Sequence, residues 1–257
     1  MSTQAQKADQ FHALHVPGNP FVLFNIWDPG SAKAVAAAGA KAIGTGSWSV
    51  AHASGFEDGE HLPRSLAIDN IRRIVSATEL PVTIDLESGY GDTPASVGET
   101  IALAIEAGAI GCNIEDSLVS DRTLRPIADQ VERIRAARKA ADAAGIRFFL
   151  NARSDVFLAT PRDRHNDATV QQAIERARAY AGAGASGLFA PGLADLTLIA
   201  RFTEASPLPL NIMAGDDTPP LRVLAEHGVA RLSHGPRPYR QAMKALEEAA
   251  RAAFSSI

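Results

Sequence analysis

Residues 81–91, Pro-Val-Thr-Ile-Asp-Leu-Glu-Ser-Gly-Tyr-Gly, run from a short apolar stretch straight into a turn punctuated by glycine. Pro81–Leu86 reads as a buried strand, and Asp85 and Glu87 stand where strand becomes loop. Side chains alternate at period two along a strand, so this spacing points both carboxylates to one face. Two converging carboxylates repel, and one takes up a proton unless a cation lies between them. A hard divalent ion, Mg²⁺ or Mn²⁺, removes that conflict. Gly89 and Gly91 permit positive-φ turns or close backbone approach to a ligand. Taken alone, the stretch is equally compatible with two solvated carboxylates in an ordinary strand-to-helix loop.

The same unit, a short apolar run ending in polar residues and followed by an Ala-rich helix, recurs on both sides. Strands are expected at Phe21–Ile26, Ala42–Thr45, Pro81–Leu86, Gly111–Glu115, Arg147–Asn151, Ser186–Ala190, Leu208–Met213 and Val229–Ser233. Helices are expected at Pro29–Gly39, 64–77, Pro94–Ala107, 126–144, 168–182, 194–204, 218–227 and Pro238–Phe254. Eight such units in 257 residues predict a (β/α)₈ TIM barrel, a single domain over residues 1–257, which is about the usual size for that fold. The loop 46–59 is too long to be mere connection, and long loops in compact domains are usually functional.

Composition limits the partners. The net charge of −4 and the lack of a basic run argue against nucleic acid. No run approaches a membrane span, and the first ten residues lack an apolar signal core. The one cysteine, Cys112, excludes an intrachain disulfide; a cytoplasmic location is expected.

In such barrels the chemistry sits at the loops that follow the strands. Those ends carry Asn25 and Asp28, Ser47 and Asp58, Asp85 and Glu87, Glu115 and Asp116, Arg153, and Asn211. Asp85, Glu87 and Glu115 come from neighbouring strands and compose an oxygen-only metal site with waters completing the shell. Arg153 suits a substrate carboxylate or developing oxyanion, or else a structural ion pair with Glu115 or Asp155.

These residues carry a resemblance to the isocitrate lyase/phosphoenolpyruvate mutase superfamily over nearly the whole chain. Asp85-Leu86-Glu87-Ser88-Gly89-Tyr90-Gly91 resembles its metal motif Asp-x-Asp-x-Gly-[FY]-Gly, with Glu in place of the second Asp. Ile114-Glu115-Asp116 and Ala152-Arg153-Ser154-Asp155 resemble its strand-four and strand-five motifs. Thr45-Gly46-Ser47-Trp48 with Gly55-Phe56-Glu57-Asp58, and Asn211-Ile212, match two more. The resemblance implies a Mg²⁺-dependent (or Mn²⁺-dependent) enzyme acting on small 2-oxo or 2-hydroxy carboxylates through an enolate-like oxyanion. It implies Asp85 as the direct metal carboxylate, with Glu87 and Glu115 holding the ion partly through its waters. Gly46, Ser47 and Trp48 would take the substrate carboxylate together with Asn211, Arg153 would stabilise the oxyanion, and Asp58 would sit beside the reacting centre. It also implies that the last helix is exchanged between subunits, giving dimers or tetramers. The apolar positions Ala242, Ala245, Leu246, Ala249 and Ala250 serve that exchange or packing on the chain's own barrel equally well.

The departures are specific. The lyases' Lys-Lys-Cys-Gly-His loop is replaced by residues 117–126, Ser-Leu-Val-Ser-Asp-Arg-Thr-Leu-Arg-Pro, without Cys, Lys or His. Cys112 lies three residues before Glu115 and faces the other side of the strand. Phe189-Ala190-Pro191-Gly192 stands where the lyases carry a glutamate, and the mutase's Asn, Lys and Thr set has no counterpart. His52, His165, His234 and Tyr90 are candidates for the missing acid or base. Expected first is a C–C lyase or decarboxylase, then a phosphonate-type mutase or hydrolase, for which the 117–126 loop offers only Arg122 and Arg125. A barrel that binds an oxo acid without turnover is the third reading. A phosphate site after strands seven and eight, at Met213-Ala214-Gly215 and Ser233-His234-Gly235, is a further one.

Overall fold

The computed structural model describes residues 2–255. Nine parallel strand segments alternate with helices in one nearly closed barrel. The strands are β1 Phe21–Leu23, β2 Asn25–Ile26, β3 Ile43–Thr45, β4 Val82–Asp85, β5 Gly111–Glu115, β6 Phe149–Arg153, β7 Gly187–Ala190, β8 Leu210–Met213 and β9 Arg231–Ser233. The helices are α1 Gln4–Ala13, α2 Pro29–Ala37, α3 Ser47–Ala53, α4 Arg64–Ser76, α5 Pro94–Glu106, α6 Ile127–Ala143, α7 Val156–Ala159, α8 Asp167–Gly182, α9 Leu196–Ala205, α10 Leu221–Glu226 and α11 Arg237–Phe254. The expected (β/α)₈ barrel is therefore present, with one difference: the first strand is split. β1 pairs with β9 and β2 with β3, so the break at Phe24 is the seam where the ring closes. Asn25 fastens that seam. Its Oδ1 accepts the N–H groups of His234 and Gly235 at 2.9 and 2.8 Å, and its Nδ2 donates to the Thr45 carbonyl at 3.0 Å.

Isoleucine, valine and alanine from the strands' outer faces and the helices' inner faces make one continuous core. Burial of such residues contributes on the order of 25 cal/mol per Å² of apolar surface, the main term favouring the fold. The barrel interior is different. Asn113 and Asn151 face each other across β5 and β6, joined by a 2.9 Å hydrogen bond. Large and small residues alternate around it: a Cβ added at Gly187 would lie 2.8 Å from the Phe149 ring.

Three expectations need correction, and one helix was not foreseen. β6 runs two residues further than Arg147–Asn151, because Arg153 pairs in register with Glu115 and the polar interior tolerates Asn151 within the strand. The 46–59 loop contains α3. Asp28, read as a rim group, instead caps α2 by accepting the Ser31 N–H at 2.7 Å. An N-terminal helix, α1, opens with a Thr3/Gln6 capping box. It buries Ala8 and Phe11 and forms, with Phe21 and Phe149, a small second core. Among the described residues no helix is long and apolar enough to cross a membrane.

The last helix leaves its apolar face uncovered. Pro238 is its one buried residue, whereas Leu246 is 62% and Phe254 75% exposed. Within the single chain, this stretch of the helix is open to solvent.

Candidate active site

Asp85 is the last residue of β4. Its Oδ2 accepts the Ser47 N–H at 3.1 Å, its own N–H donates to Thr45 Oγ1 at 2.9 Å, and its Oδ1 is buried without a partner. Glu87 arrives beside it by a different route from the period-two argument. The strand has already ended, and Glu87 takes a left-handed φ of 51°. Leu86 keeps to the core, and the turn swings Glu87 to the Gly59 and Glu60 N–H groups, which donate to its Oε2 at 2.8 and 2.7 Å. The turn is pinned from two sides. Ser88 Oγ and the Tyr90 N–H donate to Glu60 Oε1 at 2.6 and 2.8 Å, and Arg133 donates to the carbonyls of Ser88 and Gly91.

Glu115 closes β5. One of its oxygens pairs with Arg153 Nη1 at 2.7 Å, the other with Arg122 Nη1 at 3.0 Å. Arg153 also grips Asp155 through Nε at 2.6 Å and Nη2 at 3.1 Å. The ion pairs considered for Arg153 thus exist with both acids, and they fix the guanidinium's plane. Asp58, from the segment between α3 and α4, lies 3.9 Å from Arg122 Nη2, and its Oδ1 is buried and unpartnered.

Crowding and burial shift Asp85, Glu87 and Glu115. Burial, with Asp58 and Asp85 adding to it, pushes Glu87 up to about 8. Burial raises Asp85 while Arg153 pulls against it. Burial also pushes Glu115 up to about 7, against Arg153 and Arg122. Burial works against the charge of Arg153, yet Glu115 and Asp155 outweigh it and hold that guanidinium protonated. A sign follows for the metal-free protein. The folded Glu87 binds protons that the unfolded chain has released between about pH 4.5 and about pH 8, so stability falls as pH rises through that window. Thermal melts in chelator should show the decline, and Mg²⁺ should reverse it at the alkaline end.

The donor set suits a hard divalent cation. Among the described residues no three acidic, His or Cys side chains close into a ready-made cage. Mg²⁺ does not need one, since it keeps several waters and takes one or two carboxylates directly. The unpartnered Oδ1 atoms of Asp85 and Asp58 are the oxygens left without a proton donor to satisfy them.

The remaining predicted residues are distributed as follows. Gly46 is the N-cap of α3, and Ser47 and Trp48 form its first turn beside Asp85. The Trp48 ring stacks on His52 at 3.7 Å and carries the Arg240 guanidinium at 4.5 Å. Asn211 is deep in the barrel, accepting from Ser233 Oγ at 3.1 Å, with its Nδ2 unpartnered. Asp116 is fully buried away from the rim, held by Arg176, Tyr180 and the Asp155 N–H. His165 Nε2 lies 2.9 and 3.1 Å from two backbone carbonyls and is committed to donation. Tyr90 packs with Val50, Leu62 and Ala67 as a wall behind Asp85. Sequence reasoning did not single out Glu60 as a partner, nor Arg122 as part of the constellation. Glu60 could have been flagged by its place beside Gly59 in the functional loop.

Residues 11–254 match the sequence profile of the phosphoenolpyruvate phosphomutase family. A Burkholderia cenocepacia J2315 protein, provisionally named a phosphonomutase, is 54% identical, with 97% of this chain and 99% of that chain covered and a TM-score of 0.95. The 2-methylisocitrate lyase of Escherichia coli K12 is 32% identical over 148 residues, 56% of this chain and 47% of that protein. The oxaloacetate decarboxylase of Pseudomonas savastanoi pv. phaseolicola is 29% identical over 246 residues, 94% of this chain and 82% of that protein. The chain belongs to the phosphoenolpyruvate phosphomutase family, part of the superfamily that also holds the isocitrate lyases.

Proposed function

We propose that this protein is a Mg²⁺-dependent enzyme that breaks a C–C bond of a small 2-oxo or 2-hydroxy carboxylate, as a lyase or decarboxylase, through an enolate-like oxyanion. The observation that carries the reading is the set Asp58, Asp85, Glu87 and Glu115, two of them with unpartnered buried oxygens, facing an arginine held rigid by Asp155. Asp85 would hold the ion directly, with Glu87, Glu115 and Asp58 accepting from its waters. When bound, such an ion polarises the substrate carbonyl and offsets developing negative charge. The chain does the rest. Arg153 presents a fixed positive charge where the oxyanion forms, without reorganising at the moment of reaction. Of the Gly46-Ser47-Trp48 run, Trp48 would offer its first-turn N–H to the substrate carboxylate, because the Gly46 N–H donates to the Ile26 carbonyl and the Ser47 N–H to Asp85. Asp58 lies beside the reacting carbon.

A phosphonate mutase or hydrolase is the second reading, favoured by the likeness to the Burkholderia protein. Against it, a phosphoryl group wants several unengaged cations, and Arg153 and Arg122 are both already paired with acids. The test is calorimetric titration of oxalate, an enolate mimic, into the wild-type protein with and without Mg²⁺. Binding that requires Mg²⁺ is the expected result. Its absence leaves a barrel that binds oxo acids without turnover, or none at all.

The same proposal includes assembly through α11, in which one copy's helix covers a neighbour's barrel. A parallel barrel strand is normally covered on both faces, yet Val22 on the outer face of β1 is 38% exposed. It lines an apolar groove of about 790 Å³ with Val16, Phe24, Val35 and Ala38. Leu246→Glu should convert the oligomer to monomer in light scattering; an unchanged mass sinks this mode of assembly.

A further inference from the structure

The last barrel strand carries an arginine that the rim site does not use. Leu232 of β9 belongs to the outer core, so alternation along the strand turns Arg231 and Ser233 inward. Arg231 is fully buried. Its Nε donates to Ser233 Oγ at 2.9 Å, and that hydroxyl donates in turn at 3.1 Å to Oδ1 of Asn211, the register partner of Arg231 on β8. Nη1 and Nη2 of the guanidinium have no acceptor, and Nδ2 of Asn211 has none either.

A guanidinium in this position is costly. Taking a charge out of water is offset only by a counter-charge and by partners for its protons. Among the described residues no carboxylate reaches Arg231, and Asp85 acts on it only at a distance. Burial pushes the group down to about 9, which still leaves it charged at neutral pH. The unpartnered acceptors of the barrel interior, Asn151 Oδ1 and Thr83 Oγ1, are neutral and out of its reach. The Phe11 ring, centred 5.9 Å from Cζ, adds a weak cation–π contact but accepts no N–H in the guanidinium plane. The N–H groups of both terminal nitrogens therefore lack a receiver.

The surrounding compartment is closed and narrow. Phe11 on α1, and His15 just after it, pack against Phe21 and Phe149 and seal the barrel's lower end. Burial and the charge of Arg231 keep His15 neutral, so it adds no second cation. Toward the rim stands the Ser233–Asn211 pair. Side chains crowd the width between: a Cβ at Gly44 would lie 2.7 Å from Thr83 and 2.8 Å from Leu23, and one at Gly111 2.8 Å from the Phe149 carbonyl. Such a space suits a single-atom ion and not a tetrahedral oxyanion.

We propose that the barrel interior binds a small monovalent anion of the chloride class on the Arg231 guanidinium, with the Asn211 amide as a neighbouring donor. The ion supplies the missing counter-charge and receives the unengaged N–H groups. It is a structural ligand of the native state, and the inference does not depend on the chemistry of the rim.

Thermal melts of the full chain test it, with gluconate exchanged for chloride or bromide at constant ionic strength. The wild type should melt about 4 °C or more higher at saturating halide, because an ion held only by the folded state stabilises it by mass action. Arg231→Met, which replaces the buried charge with an apolar chain, should lose that response. Crystals of the wild type grown in bromide should give an anomalous peak at the bromine edge against Nη1 or Nη2. A halide-independent melt of the wild type, an equal response in Arg231→Met, or water at those nitrogens in the bromide crystals overturns the site. The first and third outcomes need only the wild type, so they decide the matter even where Arg231→Met does not fold.

Discussion

Asp85→Asn abolishes Mg²⁺-dependent oxalate binding, by at least about a hundredfold, while leaving the protein as stable as the wild type or more so. The two halves of this result have one cause. Asparagine keeps the shape of the side chain and its place above Thr45 and beside Ser47. It removes a buried charge that Asp58, Glu87 and Glu115 all repel in the absence of a cation. A structural carboxylate would show the opposite pattern, with stability lost and ligand affinity kept. Calorimetry paired with thermal melts separates the two, and retention of wild-type affinity by Asp85→Asn would falsify the metal assignment.

Asp116→Ala has the largest expected effect on stability, a loss of about 3–5 kcal/mol in chemical denaturation. Asp116 is fully buried and accepts from Arg176 Nη1 at 3.0 Å, Tyr180 Oη at 2.7 Å and the Asp155 N–H at 2.9 Å. Its removal leaves the buried Arg176 without its carboxylate and frees the backbone that positions Asp155, the acid that orients Arg153. Weaker ligand binding should therefore accompany the lost stability. A change below about 1 kcal/mol would mean that water enters and replaces the carboxylate.

The barrel was legible in the sequence because its signal is repetitive: each outer strand face and inner helix face must be apolar, and that demand recurs eight times. Asp85, Glu115 and Arg153 were legible because barrel geometry places strand ends together whatever lies between them. The rest escaped for identifiable reasons. The end of β6 was misplaced because Asn151 and Arg153 are polar residues inside a strand, tolerated there by Asn113 and Glu115. Glu87 converges through a positive φ that alternation cannot foresee. The helix α1 is polar on most positions and buries only Ala8 and Phe11, too few to mark a period. Arg122 reads as a solvated loop cation until the hairpin fold shows what it crosses. The exposed face of α11 was visible as an apolar stripe, but a stripe does not say which copy of the barrel it meets.

The split first strand has a kinetic consequence. Every other pairing joins strands consecutive in the chain, with register partners such as Asn25 and Gly44 or Ile43 and Val82 separated by a single crossover. The seam joins Asn25 to residues 209 and 210 positions away. Contacts at such separation carry the largest loop-closure entropy and form after the local ones. That separation predicts that the ring closes last, from an open sheet. Until that step, one edge at β1 and another at β9 stay unpaired and open to association with other chains. The Asn25 amide, by catching two backbone N–H groups at once, acts as the latch that ends this vulnerable interval.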